Sequence, residues 1–286
     1  MKAHQADHSI TLMSRVLRVS RAGYYAWLGR GPSMRAQSAG LLLEEIRTIH
    51  LTSRGIYGVR RIHAALLKQG WRVGKNRVAR CMAAAGIVGV TRRRYKATTV
   101  RNPRQRPAPD LVERQFTASG ADVLWVADIT HIPTAAGAVY LAVIQDVWSR
   151  RIVGWAVDSH MESELVQRAL LAALARRRPV AVIHHSDQGS QYTARAFKAL
   201  AEAHGVRLSM GTVADCYDNA MAESFFATLE CELLALHRLR GLEDARRALF
   251  DFIEGFYNLH RLHSGVGYRS PIEFEHGNVR AMAAAK

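Results

Sequence analysis

Apolar residues recur at Ile10, Leu12, Met13, Val16 and Leu17, a spacing that predicts a short helix over 10–17. Ser20 suits the N-cap of a second helix, Arg21–Leu28, which carries Tyr24, Tyr25 and Trp27 and stops at Gly29, Gly31 and Pro32. Three more helical stripes follow: Leu42, Leu43, Ile46 and Ile49 within 41–49; Ile62, Ala65 and Leu66 within 59–69; and Val78, Cys81 and Met82 within 75–85. Gly70 and Gly86 end the last two.

From Leu111 the period changes. Apolar runs at 123–132, 139–147 and 151–157 predict three successive strands, and 164–177 predicts an amphipathic helix. A short strand at 180–183, a helix at 194–204, a strand at 206–210 and helices at 219–236 and 242–258 complete the pattern. Five strands, three of them consecutive and the others interleaved with helices, indicate an α/β domain with a mixed sheet covered by helices. Small all-α modules precede it.

Charge divides the chain at the same place. The 286 residues carry a formal +16, but residues 1–110 hold 22 Lys and Arg against four acids, and residues 111–286 hold 18 against 20. A basic front half points to a polyanionic partner. No stretch reaches 18 consecutive apolar residues, which excludes a membrane span, and residues 1–10 lack the apolar core of a signal peptide. Cys81, Cys216 and Cys231 are odd in number and form no Cys-x-x-Cys pair, so neither a disulfide framework nor a thiolate zinc site is expected, and the chain reads as cytoplasmic. His184 and His185 are adjacent strand residues aimed at opposite faces, and His260 and His263 lack the further ligands a tetrahedral zinc site needs.

The third helix of the upstream unit carries Lys75, Asn76, Arg77 and Arg80 off its apolar stripe, and the second carries Arg60 and Arg61. A solvated face is the commoner origin of such charge, but a solvated helix normally mixes signs to gain pairs four residues apart. No acid occurs between Leu51 and Asp110. Three short helices with a cationic third one fit a DNA-reading trihelical unit. Residues 91–112 hold Arg92, Arg93, Arg94 and three of the seven prolines, so they are expected to form an extended arm that tracks phosphates.

Three acids stand out. Asp128 lies inside an apolar strand between Val126 and Ile129, where an ionised carboxylate must be paired or bind a cation. Asp187 follows a strand at the sheet edge where α/β proteins place their sites. Glu223 sits on a helix but off its apolar stripe of Met221, Phe225, Leu229 and Leu233. Two strand-borne Asp and one helix-borne Glu form a hard oxygen set suited to Mg²⁺ or Mn²⁺. Two such ions about 4 Å apart would activate a nucleophile and stabilise the leaving oxygen of a phosphodiester. Asp146, Asp158, Asp215 and Asp218 read instead as caps or turn residues.

Three motifs sharpen this set: Trp125-Val-Ala-Asp128-Ile-Thr130, His185-Ser-Asp187-Gln-Gly189-Ser-Gln191-Tyr192, and Asp218-Asn219-Ala-Met-Ala-Glu223-Ser-Phe-Phe-Ala-Thr-Leu229. Together they resemble the core of DDE transposases of the retroviral-integrase-like superfamily, in particular insertion-sequence transposases of the OrfB class. The 35 residues between Asp187 and Glu223 match that family's spacing. Ser149–Trp155, Phe256–Asn258, His263-Ser264, Gly267-Tyr268, Ser270-Pro271 and, upstream, Tyr57–His63 resemble it too, so the likeness runs from about Ile10 to Phe274. Ala127 and Ala214-Asp215 depart from the family pattern without removing a ligand.

The resemblance implies a ribonuclease H-like five-stranded fold and Mg²⁺-dependent (or Mn²⁺-dependent) cleavage and strand transfer of element ends, with two ions. Asp128, Asp187 and Glu223 would be the catalytic, metal-binding acids. Gln191, Tyr192 and His263 join Arg60, Arg61, Lys75, Asn76, Arg77, Arg80 and Arg92–Arg94 as expected DNA contacts. The expected organisation is a helix-turn-helix-like segment (1–35), a trihelical DNA-binding domain (38–90), the basic arm (91–112), an integrase-like catalytic domain (113–279) and a tail (280–286). Expected partners are double-stranded DNA, a first-frame protein or fusion and further copies on DNA, in the nucleoid of a bacterial cytoplasm. A non-catalytic DNA-binding regulator would not need carboxylates in a buried strand. A ribonuclease H-like nuclease that cuts without joining would not need two upstream recognition modules. Residues 1–110 are expected to bind duplex DNA with an affinity that drops steeply as salt rises, because each phosphate contact releases a counterion. A salt-insensitive anisotropy titration would refute this.

Overall fold

Serine hydroxyls start the first three helices. Ser9, Ser20 and Ser33 accept the backbone N–H of Leu12, Gly23 and Ala36, capping α1 (Ile10–Val16), α2 (Arg21–Gly29) and α3 (Met34–Thr52). The Ser33 cap starts α3 several residues before its apolar stripe, so the helix is longer than the stripe predicts. Helices α4 (Val59–Lys68) and α5 (Lys75–Ala84) follow close to expectation. The computed structural model describes residues 1–90, 109–112, 116–211 and 220–284. Arg92, Arg93 and Arg94, and the segment with Asp215, Cys216 and Asp218, lie outside the described residues.

The α/β unit contains β1 (Leu124–Thr134), β2 (Gly137–Asp146), β3 (Ile152–Asp158), α6 (Ser163–Arg177), β4 (Ile183–Ser186), α7 (Ser190–Thr193), α8 (Arg195–Ala203), β5 (Arg207–Met210), α9 (Ala220–Leu229), α10 (Leu242–Phe250) and α11 (Pro271–Ala284). The five strands lie in the order β3-β2-β1-β4-β5. β1, β2 and β3 form an antiparallel meander, and β4 and β5 add to β1 in parallel. This mixed arrangement with helices on both faces is the ribonuclease H-like order.

Side-chain alternation along β1 decides what each face holds. Trp125 and Ala127 pack with Ala142, Ile144, Leu165, Leu170 and Phe197 under α6 and α8. Ile132 faces the other way and joins Leu141, Val143, Phe225, Leu229, Leu249 and Phe252 under α9 and α10. Leu124 and Val126 form a smaller patch with Val112 and Val147.

Two elements differ from the expected pattern. The apolar run 180–183 is not the strand: Val180 is 99% exposed, and β4 begins at Ile183 and runs through His184, His185 and Ser186. Pairing with β1 on one side and β5 on the other buries these polar residues despite their propensity. The expected long helices 219–236 and 242–258 each pass from α into a wider π segment, Glu230–Leu234 and Asp251–Tyr257.

The trihelical unit is not a detached bead. Leu42, Ile46, Ile62, Leu66, Val78 and Met82 share one continuous apolar cluster with Phe252, Phe256 and Tyr257. The Tyr57 hydroxyl donates to the His260 carbonyl (3.0 Å) and accepts the Leu262 N–H (2.8 Å). Exposed pairs Arg54–Asp251 and Lys68–Glu273 rim the contact.

On the other side of the sheet, α6 lies so close to β3 that only glycine fits at 154. A Cβ there would come within 2.3 Å of the Ala169 carbonyl and 2.7 Å of the Ala173 Cβ. Gly154→Ala is therefore expected to cost about 1–3 kcal/mol, read as a lower midpoint in urea unfolding with an unchanged slope.

Candidate active site

Parallel pairing of β1 with β4 brings two of the three predicted acids together. Leu124, Trp125 and Val126 stand opposite Ile183, His184 and His185, a constant offset of 59 residues. Carried two positions further, the same offset sets Asp187 opposite Asp128. Asp187 lies one residue past the end of β4, in a turn where its Oδ1 accepts the Gly189 N–H at 3.0 Å. The Gln188 amide donates to the Gly211 carbonyl (2.8 Å) and ties that turn to the end of β5. Asp128 Oδ1 accepts the N–H of Ile129 at 2.8 Å.

Neither carboxylate forms an ion pair among the described residues, and in each the Oδ2 atom has no donor. Burial, and then the charge of Asp187, push Asp128 up to about 7 from its ordinary 3.8; Glu223 adds in the same direction. Burial raises Asp187 as well, against the Gly189 hydrogen bond. Two half-buried acids within electrostatic reach of each other hold one proton more readily than two negative charges.

Glu223 lies in the first turn of α9, exposed, within electrostatic reach of Asp128. Its neighbour Ala222 is buried, and Met221 packs on the patch around Leu124 and Val126. Among the described residues, however, no three His, Cys, Asp or Glu side chains converge closely enough to hold an ion. The structure thus joins the two aspartates and leaves Glu223 beside them, short of a closed three-acid cluster.

The other site residues divide by exposure. Arg60, Lys75, Asn76 and Arg80 are exposed, and Arg77 is half-buried with a 3.0 Å hydrogen bond to Ser38. Gln191 donates to the Met161 carbonyl at 3.0 Å. Tyr192 is no surface contact: it is 2% exposed, packed against His184 and Phe197. Its aromatic bulk fills the core under α7, and burial together with Asp128 and Asp187 raises its phenol well above the usual range. Its hydroxyl has no hydrogen-bond partner.

Arg61 and His263 also turn inward. Arg61 Nε donates to the Leu262 carbonyl (3.0 Å) and Nη1 reaches Glu232 (3.3 Å), so this arginine does have an acid, supplied from far along the chain. His263 is buried against Tyr257 and Arg261, and burial plus Arg261, Arg61 and Arg150 hold it well below the ordinary histidine range. Both point into the contact between the trihelical unit and the catalytic domain. Sequence reasoning missed their partners Glu232, Arg261 and Arg150. The available signal was an acid and a base set among the apolar residues of otherwise core segments.

His184 and His185 do not converge on one site. His184 and His185 point to opposite faces, His184 among Tyr192 and Phe197, His185 towards Phe116 and, at 2.9 Å, Ser209. Burial lowers His184 to about 4, so it is neutral at physiological pH.

Comparison with known proteins fits this architecture. Models described as integrase core domain match residues 118–216 and 204–271, and one described as HTH-like domain matches 38–95. The Shigella sonnei insertion element IS600 uncharacterized 31 kDa protein is 40% identical over 92% of this chain and 97% of its own. Transposase InsF for insertion sequence IS3A of Escherichia coli (strain K12) is 36% identical over 98% of each. The catalytic core of BIV integrase superposes with a TM-score of 0.43 and 19% identity, covering 57% of this chain and 99% of that one.

Fold and family models define a DNA-processing enzyme, an integrase core joined to a helix-turn-helix-like DNA-binding unit. Identity along almost the whole length is more specific: the chain belongs to the transposases of IS3-type insertion sequences, and is a DDE polynucleotidyl transferase of DNA transposition. Among the described residues no helix is long and apolar enough to cross a membrane.

The aspartate pair makes stability depend on pH. Folded, Asp128 keeps its proton to about pH 7; unfolded, only to about 3.8. The folded state therefore binds more protons, and stability falls as pH rises from about 4 to 7. In chelator, Asp128→Asn is expected to raise Tm at pH 8 and leave it unchanged at pH 3. Equal Tm values at pH 8 would show that the carboxylate is not confined.

Proposed function

We propose that Asp128, Asp187 and Glu223 hold divalent metal for cleavage and strand transfer at the ends of an insertion element. The observation that carries this is the pair of half-buried aspartates, one on β1 just past its pairing with β4 and one just past the end of β4, without a basic partner among the described residues. Its two free Oδ2 atoms are hard, acceptor-only donors that match Mg²⁺ or Mn²⁺. A solved HTLV-2 integrase catalytic core in complex with magnesium is among the structures similar to this chain. When bound, one ion or two would lower the pKa of the attacking hydroxyl or water and neutralise charge on the phosphodiester.

The chain's own residues set the conditions. The offset of β4 against β1 brings Asp187 within electrostatic reach of Asp128, and the N–H groups of Ile129 and Gly189 orient one oxygen of each. Glu223 supplies the third carboxylate from α9. The exposed Arg60, Lys75, Asn76 and Arg80 supply phosphate contacts on the trihelical unit, and Arg92–Arg94 extend them in sequence. In this reading DNA positioning and chemistry fall to different parts of the chain. The resemblance further supports action as an oligomer on DNA, with a first-frame protein or fusion, in the bacterial nucleoid.

Asp128→Asn, Asp187→Asn and Glu223→Gln are each expected to abolish cleavage and joining of labelled element ends, at least 10³-fold, while duplex binding persists. Full strand transfer by any one purified variant would sink the assignment of that acid.

A further inference from the structure

Behind α9, on the side of the helix that carries Ser224 and Thr228, lies a cavity of about 230 Å³. It is closed by the trihelical unit through Arg61 and Val90, by Arg150 after β2, and by Arg261, His263 and Gly265 from the chain before α11. Sites for drug-sized ligands measure about 300–1,000 Å³, so this one suits a single small group.

Its charge is unbalanced. Three guanidinium groups, Arg61, Arg150 and Arg261, face one carboxylate, Glu232. That carboxylate is taken up by a two-pronged pair with Arg261, at 2.6 Å to each oxygen, and by Arg61 at 3.3 Å. Arg150 has no acidic partner among the described residues. Its guanidinium lies over Gly265, where a Cβ would come within 2.7 Å of Nε. His263 and Tyr257 add no charge, since burial and the surrounding arginines keep the imidazole deprotonated and burial pushes the phenol up to about 12.

The walls are polar as well as cationic. Gln145 is buried, its amide N–H₂ donating to the Arg150 carbonyl and the Tyr257 oxygen, while its Oε1 has no partner. The Tyr257 proton and the hydroxyls of Ser224 and Ser264 are available as donors. Nη2 of Arg61 is also uncommitted. An excess of two positive charges, forked donors and hydroxyls in a space of this size matches a tetrahedral phosphate oxyanion better than a carboxylate side chain.

We propose that this cavity binds one phosphate group, carried either by the DNA backbone or free in solution. Because Ser224 follows Glu223 on α9, an occupied cavity would brace the helix that presents the third acid and lock the trihelical unit against the catalytic domain. The assignment rests on the cavity's own residues and stands whether or not the three acids act as proposed.

The test uses the full chain with inorganic phosphate as probe and chloride at equal ionic strength as reference. Phosphate at about ten times its Kd is expected to raise Tm by about 3 °C. Arg150→Gln should lose that increment. Ser264→Glu, which places a carboxylate at the mouth, should gain stability in chloride and respond no further to phosphate. Arg195→Gln, exposed on α8 under the other face of the sheet, should retain the full increment. The proposal is overturned if wild type shows no increment over chloride, or if Arg150→Gln and Ser264→Glu keep it. Duplex binding then separates the sources. If a backbone phosphate enters, Arg150→Gln makes the slope of log affinity against log salt shallower by about 1; an unchanged slope overturns the DNA source and leaves free phosphate. Strand transfer by wild type, measured separately, tells failure of the cavity from failure of the acid site.

Discussion

Everything in the candidate active site depends on the parallel pairing of β1 with β4. Side chains alternate along a strand, so a slip of one residue would send one aspartate to the opposite face. The observed offset keeps both on one level, and the energetic consequence is immediate. Two carboxylates are held within electrostatic reach, partly buried and, among the described residues, without a basic partner, in an arrangement that is costly until a proton or a cation joins them. The fold offsets that cost elsewhere: with Trp125 and Ala127 packed under α6, and Ile132 under α9 and α10, both faces of β1 are covered.

A second set of contacts fixes the trihelical unit. Tyr57 bridges the backbone at His260 and Leu262, and Arg61 inserts between the Leu262 carbonyl and Glu232. The bond from Arg261 to Glu232 lies inside the same contact. Breaking such a buried pair on one side leaves a stranded charge, which makes this junction more demanding than the exposed Arg54–Asp251 and Lys68–Glu273 pairs around it. The DNA-binding unit is therefore held in a defined position relative to α9, and α9 carries Glu223.

Much of this was legible in the chain. The apolar runs placed β1, β2 and β3, the period-3.6 stripes placed α4, α5 and α6, and Ser20 marked the start of α2 because its hydroxyl satisfies an otherwise unpaired N–H. Asp128 was conspicuous because a charge within an apolar strand has no ordinary explanation. β4 was misplaced because burial by two neighbouring strands outweighs the polarity of His184, His185 and Ser186. Tyr192 and His263 look like contact residues in sequence, and only packing shows that both are interior.

By itself the sequence determined the element types, the two-part charge distribution, the three acids and the resemblance to insertion-sequence transposases, because each is written in local period, composition or spacing. Tertiary structure alone decided which groups meet. It set Asp187 opposite Asp128 through strand register, brought Glu232 to Arg61 across 171 residues of chain and to Arg261 across 29, and gathered three arginines around one cavity. Such encounters come from long-range packing, in which a residue's partners are chosen by burial and register and not by its neighbours in the chain.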